Sequence, residues 1–320
     1  MIDIINFDQA PTTRAVYYEG NAGAKEAIVF NDNVWMIKYP KSTRDLKKPQ
    51  ISYTTSPLSE YLGSKIYELL NIPVHETLLG IRKGKIVVAC KDFTLKRDRH
   101  MWIEIGKLIP FHALKNSFMS SDLEAYSGTG SETLLGEVLD TINGHDELNA
   151  TEDALKRFWD MFVIDAFIGN NDRNNGNWGL LWNPIKNTMS LAPVYDNGNA
   201  FFNKRSLAQM ESRLADAALM EEDACKTLIS AYRYTGLDNE GHSINPFQFI
   251  QSGENEDCKK AVERFLQNID FSKIVELINA VPESNGTLAV MPQVQKDFYI
   301  KLMEIRLEKL RKGGLHIGQP

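Results

Sequence analysis

The sequence predicts an α+β protein with a small β-rich amino-terminal lobe that contains one helix, and a larger, mainly α-helical carboxy-terminal lobe. Strand-like apolar runs separated by turn residues fill the first part of the chain. Long segments with apolar residues at helical spacing dominate the remainder. We place the boundary between the lobes after residue 94, which divides the chain into segments 1–94 and 95–320.

The composition is typical of a folded globular protein. Of the 320 residues, 43% are hydrophobic and 24% are charged, which argues against a largely disordered chain. The formal net charge of −6 provides no basic field for a polyphosphate backbone, so no direct nucleic-acid partner is expected. The apolar run 161–168 is short and interrupted by Asp165, so no membrane span is expected.

The cysteines and the amino terminus bear on the compartment. Cys90, Cys225 and Cys258 are odd in number and far apart, which suggests neither disulfide pairs nor a metal site and predicts a reducing compartment. The first ten residues lack the basic and then apolar pattern of a signal peptide, so a cytoplasmic location is expected. Delivery outside the producing cell is an alternative that composition does not decide.

Two β-hairpins are predicted in the first lobe. The four runs with strand-like patterns are 26–30, 34–39, 75–81 and 85–91. Asn31–Asn33 joins the first pair and residues 82–84 join the second, and both connections contain residues that tolerate tight turns.

One helix is predicted between the hairpins, and several in the second lobe. Apolar residues recur at helical spacing over 59–70, with Ser59 as the predicted cap, and the lysine-rich segment 41–57 before it is interpreted as an exposed loop. Segment 116–131 is rich in Ser and Gly and is predicted to be mobile. The helices predicted in the second lobe are 151–170, capped by Thr151, then 207–235, 257–280 and 293–312.

The least ordinary stretch is 167–181, where a strongly predicted helix leads into a loop with five Asn, one Asp and one Arg and then into an apolar run. A second apolar run follows a turn at Asn183–Pro184, and a hairpin of the two runs would bring Asn177 and Asp196 to the same end. Carboxylate and amide oxygens are the ligands that Mg²⁺ prefers. Asp172 stands at the spacing of a base that accepts a proton from an attacking hydroxyl.

This arrangement resembles the catalytic loop and metal-binding aspartate of protein-kinase-like enzymes, in particular the HipA-like bacterial serine/threonine kinases. The matching segments are Asn171–Asn177 and Pro193–Asp196. In the first lobe, Gly20–Glu26 resembles the glycine-bearing phosphate loop of that family. Lys38 stands at the position of the third-strand lysine, and Glu60 lies on the following helix.

The resemblance implies a bilobal protein-kinase-like fold and a role for each matched residue. Asp172 would be the catalytic base, Lys38 would bind the α- and β-phosphates of ATP, and Glu60 would orient Lys38. Asn177 and Asp196 would hold Mg²⁺. The other residues expected to bind ATP are Gly20, Asn21, Ala22, Gly23, Ala24 and Lys25 in the phosphate loop, Lys91, Asp92 and Phe93 in a hinge that reads adenine through its backbone, and Asn174.

The implied activity is ATP- and Mg²⁺-dependent phosphorylation of Ser or Thr in a protein substrate, with autophosphorylation. Gly20 stands where the toxin of this family carries an autophosphorylated serine, so another hydroxyl must serve here. Longer relatives carry an additional amino-terminal subdomain at their antitoxin interface, so an antitoxin partner is not expected. The alternatives are a lipid or small-molecule kinase of the same superfamily, an ATP-binding pseudokinase, and a non-kinase helical protein that binds partners.

Overall fold

The computed structural model describes residues 1–14, 25–99, 101–119, 133–151, 153–235 and 241–315. The strands are β1 (Ile5–Asn6), β2 (Lys25–Phe30), β3 (Asn33–Lys38), β4 (Thr77–Arg82), β5 (Lys85–Lys91), β6 (Leu95–Asp98), β7 (Met101–Glu104), β8 (Lys107–Pro110), β9 (Gly179–Asn183), β10 (Thr188–Leu191), β11 (Ser284–Asn285) and β12 (Leu288–Ala289).

The helices are α1 (Ser56–Leu69), α2 (Phe111–Met119), α3 (Leu135–Gly144), α4 (Asp146–Ala150), α5 (Ala154–Ile168), α6 (Leu207–Leu214), α7 (Ala217–Glu221), α8 (Pro246–Ser252), α9 (Glu256–Asn268), α10 (Phe271–Ala280) and α11 (Gln293–Leu315). A π-helical turn, Glu222–Lys226, follows α7.

A five-stranded sheet in the order β1–β4–β5–β3–β2 forms the core of the first lobe. Both predicted hairpins are confirmed. The turn between β2 and β3 has φ angles of 47° at Asn31 and 56° at Asp32, and the turn between β4 and β5 has 51° at Lys83 and 67° at Gly84. Left-handed backbone at both central residues matches the twist of strands joined by a two-residue turn, which explains why these sequences form hairpins.

Strand β1 was not predicted, and it pairs in parallel with β4. Gly80 permits this close pairing, because a Cβ atom there would lie 2.3 Å from the carbonyl oxygen of Ile5. Just before β1, the backbone N–H of Ile2 donates to the carbonyl of Ala280 at 2.7 Å, at the end of α10. The first residues of the chain therefore connect the small sheet to the helical lobe.

Helix α1 begins at Ser56, three residues earlier than predicted, and Ser59 is not its cap. Pro57 stands in the first turn, where its fixed φ favours helix initiation and its missing N–H costs nothing. Ser59 is fully buried and its hydroxyl donates to the carbonyl of Ala200 at 3.0 Å. The prediction was wrong because this serine serves a contact between the lobes, which sequence spacing does not reveal.

The helix predicted over 151–170 begins only at Ala154, as α5. Thr151 belongs to the end of α4, and its hydroxyl donates to the carbonyl of Glu147. Asp153 is the residue before α5, with a left-handed φ of 70° and no side-chain capping bond. The predicted cap is therefore wrong.

Two other long helices are shorter than predicted. Segment 207–235 divides into α6, α7, the π-helical turn and an irregular stretch. Segment 257–280 divides into α9 and α10, because Asp270 starts a new helix by accepting a hydrogen bond from the backbone N–H of Lys273. The predicted helix 293–312 is confirmed as α11.

The second lobe also contains strands that were not predicted. β6 and β7 form a hairpin, and β8 pairs with β9 at the edge of a three-stranded sheet. Of the segment predicted to be mobile, 116–131, the first residues belong to helix α2, and 120–131 lies outside the described residues.

Helix α5 positions the loop that follows it. The helix is buried on almost every side, with Phe158 and Trp159 inside the main core, and it packs against α9. It ends at Gly169, whose φ of 72° is a left-handed cap that suits glycine. Across the described ranges, no helix is both long and apolar enough to cross a bilayer.

Glu26 in β2 provides a test of stability against pH. Its carboxylate accepts hydrogen bonds from Arg82 at 2.9 Å, Tyr39 at 2.9 Å and Lys83 at 3.3 Å. The hydrogen bond from Arg82 is the main reason that the pKa of Glu26 falls to about 2. A lowered pKa stabilises the fold above the ordinary value near 4.5, and this contribution is lost as the pH falls toward 2.

We expect Glu26→Gln to lower the free energy of unfolding by about 1–2 kcal/mol at pH 7 and by much less at pH 3. The loss at pH 7 is modest because solvent screens the partly exposed carboxylate. Urea denaturation at both pH values measures this. Glu68→Gln, which breaks a surface pair with Lys65, is the control and should change little at either pH. An equal loss of unfolding free energy in Glu26→Gln at pH 7 and at pH 3 would contradict the lowered pKa of Glu26.

Candidate active site

The loop between α5 and β9 carries Asp172 and Asn177, and hydrogen bonds within the loop fix both. The amide nitrogen of Asn177 donates to the backbone carbonyl of Asp172 at 2.7 Å. Asn174 donates to the Asp172 carboxylate at 3.0 Å. Because the Asn177 nitrogen is used in this way, its amide oxygen is the atom left to accept or to bind a cation.

The hairpin of β9 and β10 is confirmed, with the two strands antiparallel and Asn183 as the last residue of β9 before the turn. The side chain of Asn183 accepts from the backbone N–H groups of Ile185 and Lys186, which explains the turn. At the other end, Tyr195 donates through its hydroxyl to the carbonyl of Gly176 at 3.0 Å. The segments that carry Asn177 and Asp196 therefore meet, as the sequence predicts.

Lys38 lies where the two lobes meet. Its amino group is 2.7 Å from a carboxylate oxygen of Glu60 on α1 and 3.0 Å from one of Asp196, which follows β10. Burial alone would lower the pKa of Lys38, but the carboxylates of Asp196 and Glu60 outweigh it and raise that pKa well above its ordinary value. The two carboxylates therefore favour the charged form of the Lys38 amino group.

The two carboxylates of the site have opposite pKa shifts. The charge of Lys38 lowers the pKa of Asp196, although burial opposes this. Burial raises the pKa of Asp172, opposed by the hydrogen bond from Asn174 and assisted by the negative charge of Asp196. Asp196 is thus held as an anion, and Asp172 becomes a better proton acceptor than an ordinary aspartate.

The backbone at Asp196 is in the left-handed region, with φ of 60°. For a residue with a side chain this conformation costs about 1 kcal/mol or more, and it persists where the surrounding structure imposes it. Here the imposing contacts are the ion pair with Lys38 on one side and the buried Asn197 on the other.

Asn197 connects three parts of the site. Its backbone N–H donates to Glu60 at 3.0 Å and its amide nitrogen donates to Ser64 at 3.0 Å, both on α1. Its amide oxygen accepts from Arg173 in the catalytic loop. Gly63 permits this approach, since a Cβ atom there would lie 2.8 Å from the Cβ of Asn197. One buried side chain therefore connects α1 with the loop between α5 and β9.

Arg173 is buried at the centre of the loop between α5 and β9. It forms an ion pair with Asp165 of α5 at 2.8 Å and donates to the backbone carbonyls of Asn177, at 2.9 Å, and Tyr195. Burial opposes the charge of Arg173, but Asp165 outweighs it and raises the Arg173 pKa. The guanidinium group fixes the segments before both predicted metal ligands, and a buried charge of this kind requires its partners.

Sequence reasoning missed four residues that support the predicted ones. These are Arg173, Asn197, Ser64 and His75, whose Nε2 atom lies 3.0 Å from Glu60 and 3.1 Å from Ser64. One signal was available, because Arg173 is the sole cation in a loop rich in Asn. Ser64 and His75 gave no signal, since their roles depend on packing between α1 and the sheet.

The predicted phosphate loop lies largely outside the described residues, which omit Gly20, Asn21, Ala22, Gly23 and Ala24. Lys25 is described, at the start of β2 and directly opposite Lys38 in the sheet. Burial, followed by the charge of Lys38, lowers the pKa of Lys25. Lys25 thus lies at the edge of the site, and contact with phosphate stays a prediction.

The predicted hinge residues follow β5. Lys91 ends that strand and forms an ion pair with Glu76 at 2.9 Å, and the backbone N–H of Asp92 donates to Val34 at 2.9 Å. The ring of Phe93 lies 6.2 Å from that of Tyr195, next to Asp196. The segment is therefore close to the predicted metal ligands, while adenine binding stays a prediction.

We expect Asn197→Ala to lower the free energy of unfolding by about 1–3 kcal/mol, because it removes the buried hydrogen bonds that Asn197 accepts from Arg173 and donates to Ser64. Urea denaturation measures this. Asn143→Ala, at an exposed position of α3, is the matched control and should change stability by about 0.5 kcal/mol at most. Equal stability of the two variants would show that the network is not a stabilising unit.

The sequence profile of the HipA-like C-terminal domain matches residues 21–270. The chain belongs to the HipA-like family. A curated relative of this HipA-like chain, the serine/threonine-protein kinase CtkA of Helicobacter pylori strain J99, is 32% identical over 295 residues, which cover 92% of this chain and 82% of the relative.

Solved structures agree with the family assignment. The crystal structure of the Helicobacter pylori proinflammatory kinase CtkA matches this HipA-like chain with a TM-score of 0.83 and 28% identity, over 99% of this chain and 100% of that one. The HipA toxin of Shewanella oneidensis, in its complex with HipB and operator DNA, matches with a TM-score of 0.51 and 10% identity, over 94% and 67% of the two chains, and is alike in fold alone. The predicted family and the bilobal protein-kinase-like fold are confirmed.

Proposed function

We propose that this HipA-like protein is a serine/threonine protein kinase that transfers the γ-phosphoryl group of ATP to a protein hydroxyl. The observation that carries the proposal is the meeting of Lys38, Glu60 and Asp196 across the two lobes. The relative CtkA, which is named a serine/threonine-protein kinase, supports the same activity. A lysine held between two carboxylates at a cleft is suited to a polyanionic ligand that brings its own cation.

Lys38 would bind the α- and β-phosphates, because its charge is secured and its position is fixed by Glu60. Glu60 is buried and accepts from the backbone of Asn197 as well, so it has little freedom to move. Its role is to position Lys38 and not to contact the substrate.

The donor atoms near Lys38 fit Mg²⁺. Asp196 offers a carboxylate that is 45% exposed, and Asn177 offers an amide oxygen, both hard ligands of the kind that Mg²⁺ prefers. When bound with ATP, Mg²⁺ would supply charge neutralisation at the β- and γ-phosphates. These two residues would hold it.

Asp172 would orient the acceptor hydroxyl and take its proton. The acceptor oxygen forms a bond to the γ-phosphorus, the bond from that phosphorus to the departing ADP oxygen breaks, and the proton passes to the Asp172 carboxylate. Asn174 holds this carboxylate at 3.0 Å, so its direction is set before the substrate binds. Positioning of this kind supplies most of the catalysis in phosphoryl transfer.

Several further expectations stay predictions. These are binding of phosphates by residues 20–25 and of adenine by residues 91–93, the boundary after residue 94, autophosphorylation, a cytoplasmic location, and the lack of antitoxin and direct nucleic-acid partners.

The test is transfer of label from γ-labelled ATP with Mg²⁺ to casein, to phosphoinositide vesicles and to an aminoglycoside, in parallel. Transfer to serine or threonine of casein, or of the protein itself, is the expected result. Transfer to the lipid or the aminoglycoside alone would replace the proposal with a lipid or small-molecule kinase. An ATP-induced rise in melting temperature without any transfer would indicate a pseudokinase. The absence of both transfer and a rise in melting temperature would overturn nucleotide binding itself.

A further inference from the structure

A cleft of about 320 Å³ opens beside the catalytic loop, next to Asn171. One wall is the loop 41–54, and the other is the segment that follows Asp196. Among the described residues that line it are the cations Lys48, Lys204 and Arg205, and none is a carboxylate. The chain as a whole has a net charge of −6, whereas the charged side chains that line this cleft are all positive.

The two lysines carry uncompensated charge. Arg205 forms a bidentate pair with Asp223, so its charge is neutralised locally. Lys48 and Lys204 form no ion pair with any residue in the described part of the chain. The cleft therefore presents two free positive charges to whatever enters it.

Backbone hydrogen bonds hold the two segments that carry Lys48 and Lys204. In the loop 41–54, the backbone N–H of Thr43 donates to Ser52 at 3.1 Å and that of Thr54 donates to Lys41 at 2.9 Å. The segment before Lys204 is held by the backbone N–H of Thr55, which donates to the carbonyl of Asn203 at 2.8 Å. These bonds hold the backbone of both segments, and the two lysine side chains are exposed.

The cleft also has exposed apolar side chains beside the lysines. Leu46 is 39% exposed and Ile229 is 46% exposed, and both line it. An occupant that suits this surface combines negative charge with an apolar residue, as a segment of protein chain can. A nucleic-acid strand suits it less, because two lysines are few for a polyphosphate.

We propose that this cleft binds the acceptor segment of the protein substrate and selects serines and threonines flanked by acidic residues. The inference rests on the proposed kinase function. Asn171 lines the cleft and directly precedes Asp172, so a hydroxyl at Asp172 places its neighbouring residues at the cleft, with an extended chain advancing about 3.3 Å per residue. Lys48 and Lys204 are the specificity-determining residues, and Leu46 with Ile229 takes an apolar side chain of the same segment.

The test uses the full-length protein and three synthetic peptides that differ only in the residues flanking one serine, which are Glu, Ala or Lys. The wild-type protein should phosphorylate the Glu peptide with a kcat/KM about 10-fold or more above that of the Lys peptide. The double variant Lys48→Glu/Lys204→Glu should lose this preference and keep its KM for ATP. The matched control Lys107→Glu/Lys186→Glu, at exposed lysines on the sheet of β8, β9 and β10, should behave as wild type.

The experiment distinguishes failure of the cleft assignment from failure of the kinase proposal. Equal use of the three peptides by the wild type, or an acidic preference that survives in the double variant, would overturn the cleft assignment and leave a kinase. If the control variant also lost its preference for the Glu peptide, the preference would be an effect of the protein's net charge and the cleft assignment would be wrong. No transfer by the wild type to any peptide, to casein or to the protein itself would overturn the kinase proposal, and the cleft assignment with it.

Discussion

Replacing Asp172 with alanine should lower the rate of phosphoryl transfer by roughly 10²–10⁴-fold, which is the usual contribution of a positioned base. The Asp172 carboxylate is half-buried and held by Asn174, and no other carboxylate of the catalytic loop can take its place. ATP binding should persist, because Lys38 and Asp196 pair with each other independently of Asp172. The measurements are single-turnover transfer of label and the rise in melting temperature with Mg²⁺ and ATP.

The control for this variant is Asp140→Ala, at an exposed position of α3 far along the chain from the loop. It should retain the wild-type rate. Because burial raises the pKa of Asp172, the wild-type rate should also begin to fall, as the pH is lowered, at a higher pH than an ordinary aspartate would cause. A rate within a factor of a few of wild type in Asp172→Ala would show that the base lies elsewhere.

Replacing Asp196 with asparagine should reduce transfer to below detection and also remove the effect of Mg²⁺ on ATP binding. The substitution removes the carboxylate that pairs with Lys38 and that would hold the cation. Asparagine tolerates the left-handed backbone found at this position, so the fold should survive the change. Loss of activity can then be assigned to the lost charge.

The contrast between the two aspartates is the informative result. Thermal shift with ATP alone and with ATP plus Mg²⁺ should show a metal-dependent increment for Asp172→Ala and none for Asp196→Asn. Asp140→Asn is the control and should match wild type in both assays. A normal increment in Asp196→Asn would contradict its assignment as a metal ligand.

Local sequence signals were sufficient for the hairpins and for the order of the site residues. Asn31–Asp32 and Lys83–Gly84 favour left-handed turns, and this information lies within two residues. The turn at Asn183 is equally local, and it brings the segments of Asn177 and Asp196 together. The meeting of these two segments was therefore predictable from the local sequence.

Features that depend on distant contacts were not predictable. Strand β1 has only two residues and is defined by its parallel partner β4. Ser59 resembles a helix cap until Ala200 is known to lie beside it. Asn197, which follows Asp196, is bonded to Glu60 and Ser64 of α1 and to Arg173 of the loop after α5, and no short spacing in the sequence links these residues. Tertiary packing decides each of these.

The bonds formed by the first residues of the chain bear on how nucleotide can enter and leave. Ile2 is hydrogen-bonded to the end of α10, and β1 is paired with β4, so backbone bonds join the small sheet to the helical lobe. The lobes are bonded again where Val194 donates to Pro73 at 2.8 Å and accepts from His75 at 3.0 Å. Helix α1 is bonded to the helical lobe as well, through the hydroxyl of Ser59 to the carbonyl of Ala200 and through Glu60 to the backbone N–H of Asn197. We expect exchange of ADP for ATP to tilt the β2–β3 hairpin, with Lys38 at its end, away from Asp196, while α1 keeps its bonds to the helical lobe.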